Sequence, residues 1–260
     1  MSKFIFTVCM LFSIFSFAQT DTVPLFDKLL YTSGKDILPY RFMQPESTHR
    51  DVDFPLVIFL HGSGERGNDN EAQIRHIAKL FSSAENRKKF PCYVLAPQCP
   101  IKAMWAAHDR SGNRLVMRAT PTRPMALLIE LIEKIEKEYR IDRSRIYITG
   151  LSMGGYGTWD LLARFPDKFA GAIPICGGGD PATASAIKHI PIWAFHGSLD
   201  SVVDPRQSRI MVKALQEAGG KPGYTEYPDV GHDSWGRAYQ EPYLLPWLFN
   251  QRLEKNFKAN

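Results

Sequence analysis

Arg145-Ile-Tyr-Ile-Thr-Gly-Leu-Ser-Met-Gly-Gly-Tyr-Gly-Thr158 decides how the rest of this chain is read. Ile146, Tyr147, Ile148 and Thr149 are β-branched or aromatic, as in a buried strand of a parallel sheet. Gly150-Leu-Ser-Met-Gly154 follows and matches G-x-S-x-G, and a helical run continues from Tyr156 to Arg164. A serine on so tight a strand-to-helix turn leaves no room for a Cβ two residues away on either side, which accounts for both glycines. The turn lifts the Ser152 hydroxyl to the top of the sheet. The helix N-terminus beside it aims free N–H groups and partial positive charge at a developing anion. Ser152 is therefore the candidate nucleophile; the plainer alternative is an idle serine in a glycine-rich turn.

Upstream, Lys28 to Pro45 reads as a hairpin turning at Ser33-Gly-Lys-Asp36, and Phe54-Pro-Leu-Val-Ile-Phe-Leu60 as a buried strand. A helix is predicted from about Glu71 to Phe81, with Asp69 or Asn70 able to cap it. The strand Tyr93 to Ala96 leads into a long irregular stretch, Pro97 to Pro121. The helix Pro124 to Tyr139 then collects Leu127, Leu128, Leu131, Ile132 and Ile135 on one face. Downstream, Ala170 to Cys176, Pro191 to Phe195 and Tyr224 to Tyr227 read as strands, with helices at Pro205 to Ala218 and Pro242 to Leu253. Strands alternating with helices predict an α/β fold with a mainly parallel sheet covered by helices on both faces.

The chain has 260 residues and a formal charge of +5, with its basic residues scattered. Nothing in that pattern calls for nucleic acid or a membrane surface. Met1 to Ala18 carries Lys3, then the apolar run Phe4 to Phe17, with Ser16 and Ala18 small enough for cleavage before Gln19. Too short to span a bilayer, this segment reads as a signal peptide (residues 1–18). Residues 19–260 are then expected to form one exported catalytic domain, periplasmic or extracellular. Cys9 follows Val8 and makes a poor lipid-attachment site. Cys92 and Cys99 flank an extended strand whose ends lie ~20 Å apart, so no bridge is expected between them.

A serine hydroxyl needs a base, a group that orients the base, and donors for the oxyanion. His232, in Asp229-Val-Gly-His-Asp-Ser-Trp235 just after the last strand, is the candidate base. His49 sits in a linker; His76, His108 and His189 precede or miss the required position. His61 is on the oxyanion side, and His196 is better suited to holding its own turn. Two acids compete. Asp204 precedes Pro205 and a helix and has a complete structural explanation as an N-cap, whereas Asp200 in His196-Gly-Ser-Leu-Asp200 has none. Asp200 is assigned to the base. The oxyanion donors are expected from the backbone N–H of Met153 and from the loop after Leu60, with Ser63 preferred over Gly64. Asn68-Asp-Asn-Glu71 lacks the spacing of a calcium loop and reads as a turn and helix cap. No metal or cofactor is expected.

Six ordered motifs together resemble a known group: His61-Gly-Ser-Gly-Glu-Arg-Gly-Asn68, Ala96-Pro-Gln-Cys-Pro100, Gly150 to Trp159, Ile175-Cys-Gly-Gly-Gly179, His196-Gly-x-x-Asp200 and Gly231-His232. They are similar to those of secreted bacterial α/β-hydrolases, relatives of family-one carbohydrate esterases, feruloyl esterases and polyhydroxybutyrate depolymerases. Such proteins are often labelled phospholipase/carboxylesterase or prolyl-oligopeptidase-like. The resemblance implies an α/β-hydrolase fold and serine ester chemistry, with Ser152, Asp200 and His232 in the triad positions; it says little about substrate.

Trp105, in the stretch beyond a strand's C-terminal end, and Trp235, just after the base, are the expected substrate contacts. Aromatic walls suit a sugar face or a phenolic acyl group, so the expected substrate is a small ester or an acylated (feruloyl or acetyl) plant oligosaccharide. A prolyl-oligopeptidase-like peptidase is the alternative, although the chain shows no propeller and no evident glutamate pair for a peptide amine. A non-catalytic binding protein on the same fold is a third reading, and a lipase a weaker variant of the first, since no long apolar lid is evident.

Overall fold

A computed structural model describes residues 25–46, 52–111 and 114–253; the expected signal peptide and His49 lie outside the described residues. Gly34 has φ +61°, a left-handed turn position that needs no Cβ, and there the chain reverses between β1 (Phe26–Ser33) and β2 (Asp36–Met43). β3 (Phe54–Leu60) is buried along its whole length. Its side chains alternate: Leu56, Ile58 and Leu60 enter one apolar core, Val57 and Phe59 the other. This alternation places helices on both faces of the sheet.

The predicted helix over Glu71 to Phe81 is instead a 3-10 turn (Ala72–Ile74) followed by the short α1 (Ala78–Ser82) and α2 (Ala84–Lys89). Asn70 sits at φ +55°, and its side chain donates to Leu29 O at 3.0 Å; Gln73 is fully buried and donates to Asn70 Oδ1. These polar anchors hold a tight turn where a continuous helix would carry both residues elsewhere. Asp69 caps that turn, accepting from Glu71 N at 2.8 Å and Ala72 N at 3.1 Å.

β4 (Tyr93–Pro97) leads into the stretch expected to be irregular, and the structure corrects that expectation. Part of it forms a separate two-stranded hairpin, β5 (His108–Ser111) and β6 (Arg114–Met117). Asp180 Oδ2 pins it by accepting Met117 N at 3.0 Å. In α3 (Arg123–Glu138) the Thr122 hydroxyl caps the N-terminus, and Leu127, Leu128, Leu131, Ile132 and Ile135 form the buried stripe.

β7 (Ile141–Leu151), α4 (Met153–Arg164), β8 (Gly171–Ile175), α5 (Ala184–Ile187), β9 (Trp193–Gly197), α6 (Arg206–Glu217) and β10 (Gly223–Tyr227) complete the alternation. Two short helices close it, α7 (Trp235–Ala238) and α8 (Leu244–Phe249), the latter shorter than the predicted Pro242 to Leu253. The sheet order is β1-β2-β4-β3-β7-β8-β9-β10, parallel except where β2 meets β1 and β4. Cys92, Cys99 and Cys176 are free and buried. No helix among the described residues is long and apolar enough to cross a membrane.

Candidate active site

Ser152 occupies the sharp turn between β7 and α4 with φ +53° and ψ −117°. The sequence around it makes this possible. A Cβ on Gly154 would stand 1.8 Å from Leu60 O, and one on Gly150 would stand 2.3 Å from Gly154 O. A non-glycine residue held at positive φ is strained and is kept there by its surroundings. Here Ser152 N donates to Ile175 O at 3.0 Å, tying the turn to the end of β8.

His232, from the loop after β10, places Nε2 2.9 Å from Ser152 Oγ and Nδ1 2.7 Å from Asp200 Oδ2. Asp200 comes from the turn after β9, so the ends of three parallel strands converge on one point. Its Oδ1 accepts the backbone N–H groups of Val202 at 2.9 Å and Val203 at 2.8 Å. Burial alone would raise the Asp200 pKa; the bonds from His232, Val203 and Val202 outweigh it and hold the carboxyl below its ordinary range. The carboxylate is thus ionised, and its acceptance from His232 Nδ1–H leaves Nε2 free to accept from the serine.

On the opposite side, the loop after β3 passes Ser152 so closely that a Cβ on Gly62 would lie 3.6 Å from Ser152 Cβ. Ser63 starts a 3-10 turn (Ser63–Glu65) there and is exposed, while Met153 opens α4 with an N–H that has no acceptor within the helix. His61 fixes this loop: its Nδ1–H donates to Gly62 O at 2.6 Å, and its Nε2 accepts Cys99 N at 2.9 Å. Burial lowers the His61 pKa to about 4, so the ring is neutral, as that hydrogen-bond pattern demands.

Trp105 is not where the sequence places it. Instead of facing substrate it is fully buried, donates Nε1–H to His61 O at 3.1 Å, and stands edge-on to the His61 ring. Gly157 makes room for it, since a Cβ there would reach 2.7 Å from Trp105 Cβ. Its polar N–H found a carbonyl inside the fold, which reassigns it from substrate wall to pin of the loop after β3.

Trp235, by contrast, is half-buried and stands edge-on to His232 with ring centroids 5.4 Å apart. His76 also stands edge-on to Trp235 at 5.5 Å and pairs with Glu65. A further cavity of about 270 Å³ lies one helical turn past Ser152, lined by Arg110, Tyr156, Val202, Val203 and Gln207. Tyr156, one helical turn after Ser152, forms part of that lining. Asn68 to Glu71 is a cap, as described above. His196 holds its turn through Val203 O at 3.0 Å and Ser208 Oγ at 2.7 Å.

Cys176, Asp200 and His232 bring possible metal-ligating atoms within 4.8 Å of one another. The group is a poor metal cradle: burial pushes the Cys176 thiol up to about 12, and the carboxylate and imidazole are already engaged with each other.

The model of the phospholipase/carboxylesterase family matches residues 46–242. A thermostable esterase of known crystal structure is 42% identical, with a TM-score of 0.82, over 89% of this chain and 64% of that one. The probable carboxylesterase SOBER1-like of Arabidopsis thaliana is 27% identical over 79% of this chain and 81% of its own length. The bifunctional acetylxylan esterase/xylanase XynS20E of Neocallimastix patriciarum is 29% identical over 44% of this chain. That match spans only 18% of its own length.

Proposed function

The chain belongs to the phospholipase/carboxylesterase family and is a carboxylesterase-type α/β-hydrolase; from that premise we propose that Ser152, His232 and Asp200 are its catalytic triad. The observation that carries this reading is the hydrogen-bonded line from Ser152 Oγ through His232 to Asp200 Oδ2. Ser152 Oγ attacks the ester carbonyl while its proton passes to His232 Nε2, and Asp200 stabilises the imidazolium. The Met153 and Ser63 N–H groups receive the oxyanion. Collapse breaks the ester C–O bond, and His232 returns its proton to the departing alcohol. Water then attacks the acyl-serine by the same route, releasing the acid and restoring Ser152.

The proposed substrate is a small ester or an acetylated or feruloylated plant oligosaccharide. Trp235 beside His232 offers an apolar wall for a sugar face or phenolic ring, and one relative is named an acetylxylan esterase/xylanase. A fluorophosphonate should label Ser152 alone, and Ser152→Ala should abolish hydrolysis of a short p-nitrophenyl ester. A panel of acetylated and feruloylated oligosaccharides, run beside an aminoacyl anilide, ranks the substrates; faster cleavage of the anilide would replace this reading with a peptidase. The protein is proposed to be exported after cleavage of residues 1–18, leaving residues 19–260 as one catalytic domain. Mass spectrometry of the exported protein should find Gln19 at the N-terminus, and an intact Met1 in a cytosolic fraction would overturn that assignment.

A further inference from the structure

Asp200 Oδ2 touches two imidazoles. His232 Nδ1 is 2.7 Å away, and His196 Nε2, from the end of β9, is 3.2 Å away. His196 has no solvent exposure, so every one of its polar contacts is internal. Its proton can be located from those contacts. Nε2 faces two acceptors, Asp200 Oδ2 and Val203 O at 3.0 Å, and must therefore carry the hydrogen. Nδ1 then faces the Ser208 hydroxyl at 2.7 Å, whose one proton is shared with Gly177 O. Ser208 Oγ also lies 2.9 Å from Gly177 O. Gly177 packs so tightly on the elbow helix that a Cβ there would come within 2.5 Å of Gly155 C. A polar chain therefore runs behind the triad, from Asp200 through His196 and Ser208 to the back of the Ser152 turn.

We propose that His196 is a positioning residue for the reaction: its Nε2–H, which bonds Val203 O, also faces Asp200 Oδ2 at 3.2 Å as a second imidazole contact. Together with the Val202 and Val203 N–H groups it fixes where the carboxylate points and how strongly it holds His232. The proposal rests on reading Asp200 as the acid. Burial favours the neutral His196 ring, in agreement with the single proton placed on Nε2. The other titratable groups nearby are the Cys176 thiol, Glu226 on β10 and Asp233 beside His232; none of them hydrogen-bonds Asp200 among the described residues. Among the described residues, His196 therefore supplies a side-chain contact to this carboxylate besides that of the base itself.

The sign of its effect follows. A carboxylate with one donor fewer is a stronger base and holds protonated His232 more tightly, so the acidic limb of kcat/KM moves to higher pH. His196→Asn keeps a polar amide near Ser208 but does not reach Asp200; His196→Gln extends the amide to the Nε2 position. On a short p-nitrophenyl ester, His196→Asn is expected to lower kcat about tenfold to a hundredfold with KM little changed. The limb should move upward with it, and His196→Gln should restore both. A kcat for His196→Asn within about twofold of the parent, or no recovery with Gln, overturns the proposal. A second reading needs neither variant to fold. In an isotope-labelled wild-type chain, NMR should find the His196 proton on Nε2, with a resonance that moves in Asp200→Asn. A proton on Nδ1 alone, or an unmoved resonance, refutes it. If the wild type cleaves no ester at all, the functional reading fails, and the NMR result still decides the hydrogen bond.

Discussion

Asp204 Oδ1 accepts the backbone N–H of Arg206 at 2.9 Å, and its Oδ2 takes the guanidinium of the same residue at 2.6 Å. Asp204 O accepts Gln207 N at 2.9 Å, and Pro205 between them has helical φ −56°. This carboxylate opens α6 and is engaged with Arg206, four residues after the one that binds His232.

The two acids therefore respond differently to the same change. Asp200→Asn should lower kcat ~10³–10⁴-fold, because an amide cannot stabilise the imidazolium and favours the wrong tautomer. Asp204→Asn should leave rate and stability nearly intact, since Asn also caps helices, whereas Asp204→Ala should cost ~1 kcal/mol of stability. Steady-state kinetics and urea melts on the three variants test the assignment; activity lost in Asp204→Asn and kept in Asp200→Asn reverses it.

The two tryptophans should separate in the same way. Trp105→Phe leaves His61 O without its indole donor in a buried site, which should cost ~1–3 kcal/mol and lower kcat more than it changes KM. Trp235→Ala removes a half-buried wall beside the base and should mainly raise KM for aromatic or glycosidic esters. Melts and Michaelis curves decide; a Trp105→Phe enzyme with native stability and a raised KM would return that residue to the substrate.

Acidification should loosen the loop after β3 through His61. Its folded-state pKa of about 4 lies below the ordinary 6.5, so the unfolded chain binds the proton first. Stability from this group is complete above the ordinary value and is lost as pH falls through that interval, by roughly 3 kcal/mol at the lower end. Urea melts between neutral pH and pH ~4.5 should show a shallower pH slope in His61→Gln than in the parent. Equal slopes would remove His61 from the account.

Glycine spacing at the elbow makes a sharper test. Gly154→Ala drives a Cβ into a backbone carbonyl and should destabilise by ~3 kcal/mol or more, reducing soluble yield. Gly64→Ala, with nothing within 4 Å of the added carbon, is the matched control and should fold normally. Thermal melts of both variants check this; a Gly154→Ala protein melting with the parent would contradict the geometry.

Much of this was legible in the chain because the signals were local. The buried strands are runs of apolar residues, the elbow is a contiguous motif, and the distinction between Asp200 and Asp204 followed from Pro205 and a helix start. Trp105 was misread because its direction depends on Gly157, far away in sequence, which leaves the notch it fills. The Glu71 to Phe81 helix failed because Asn70 bonds to Gln98 and Leu29, partners that only the folded sheet brings near, and Gln73 bonds back to Asn70. The β5–β6 hairpin was invisible for a different reason. His108-Asp-Arg-Ser111 is polar throughout, without the alternation that marks a half-buried strand. His196 could be seen holding a turn, but its contact with Asp200 Oδ2 requires both side chains in place.

The position of β10 has a consequence for durability. It closes one edge of the sheet and pairs with β9 alone, while the loop that follows it carries His232. That loop is stitched to the Asp200 turn by Ser198 N to Tyr227 O at 2.9 Å and Leu199 N to Val230 O at 3.0 Å. Edge elements open at lower free energy than central ones. Fraying there would detach the base while β3, β7 and β8 remain packed, so mild heat or urea should silence the enzyme before its core tryptophan fluorescence changes. The working lifetime of this protein is then set by one peripheral strand, and stiffening that edge would prolong it without touching the chemistry.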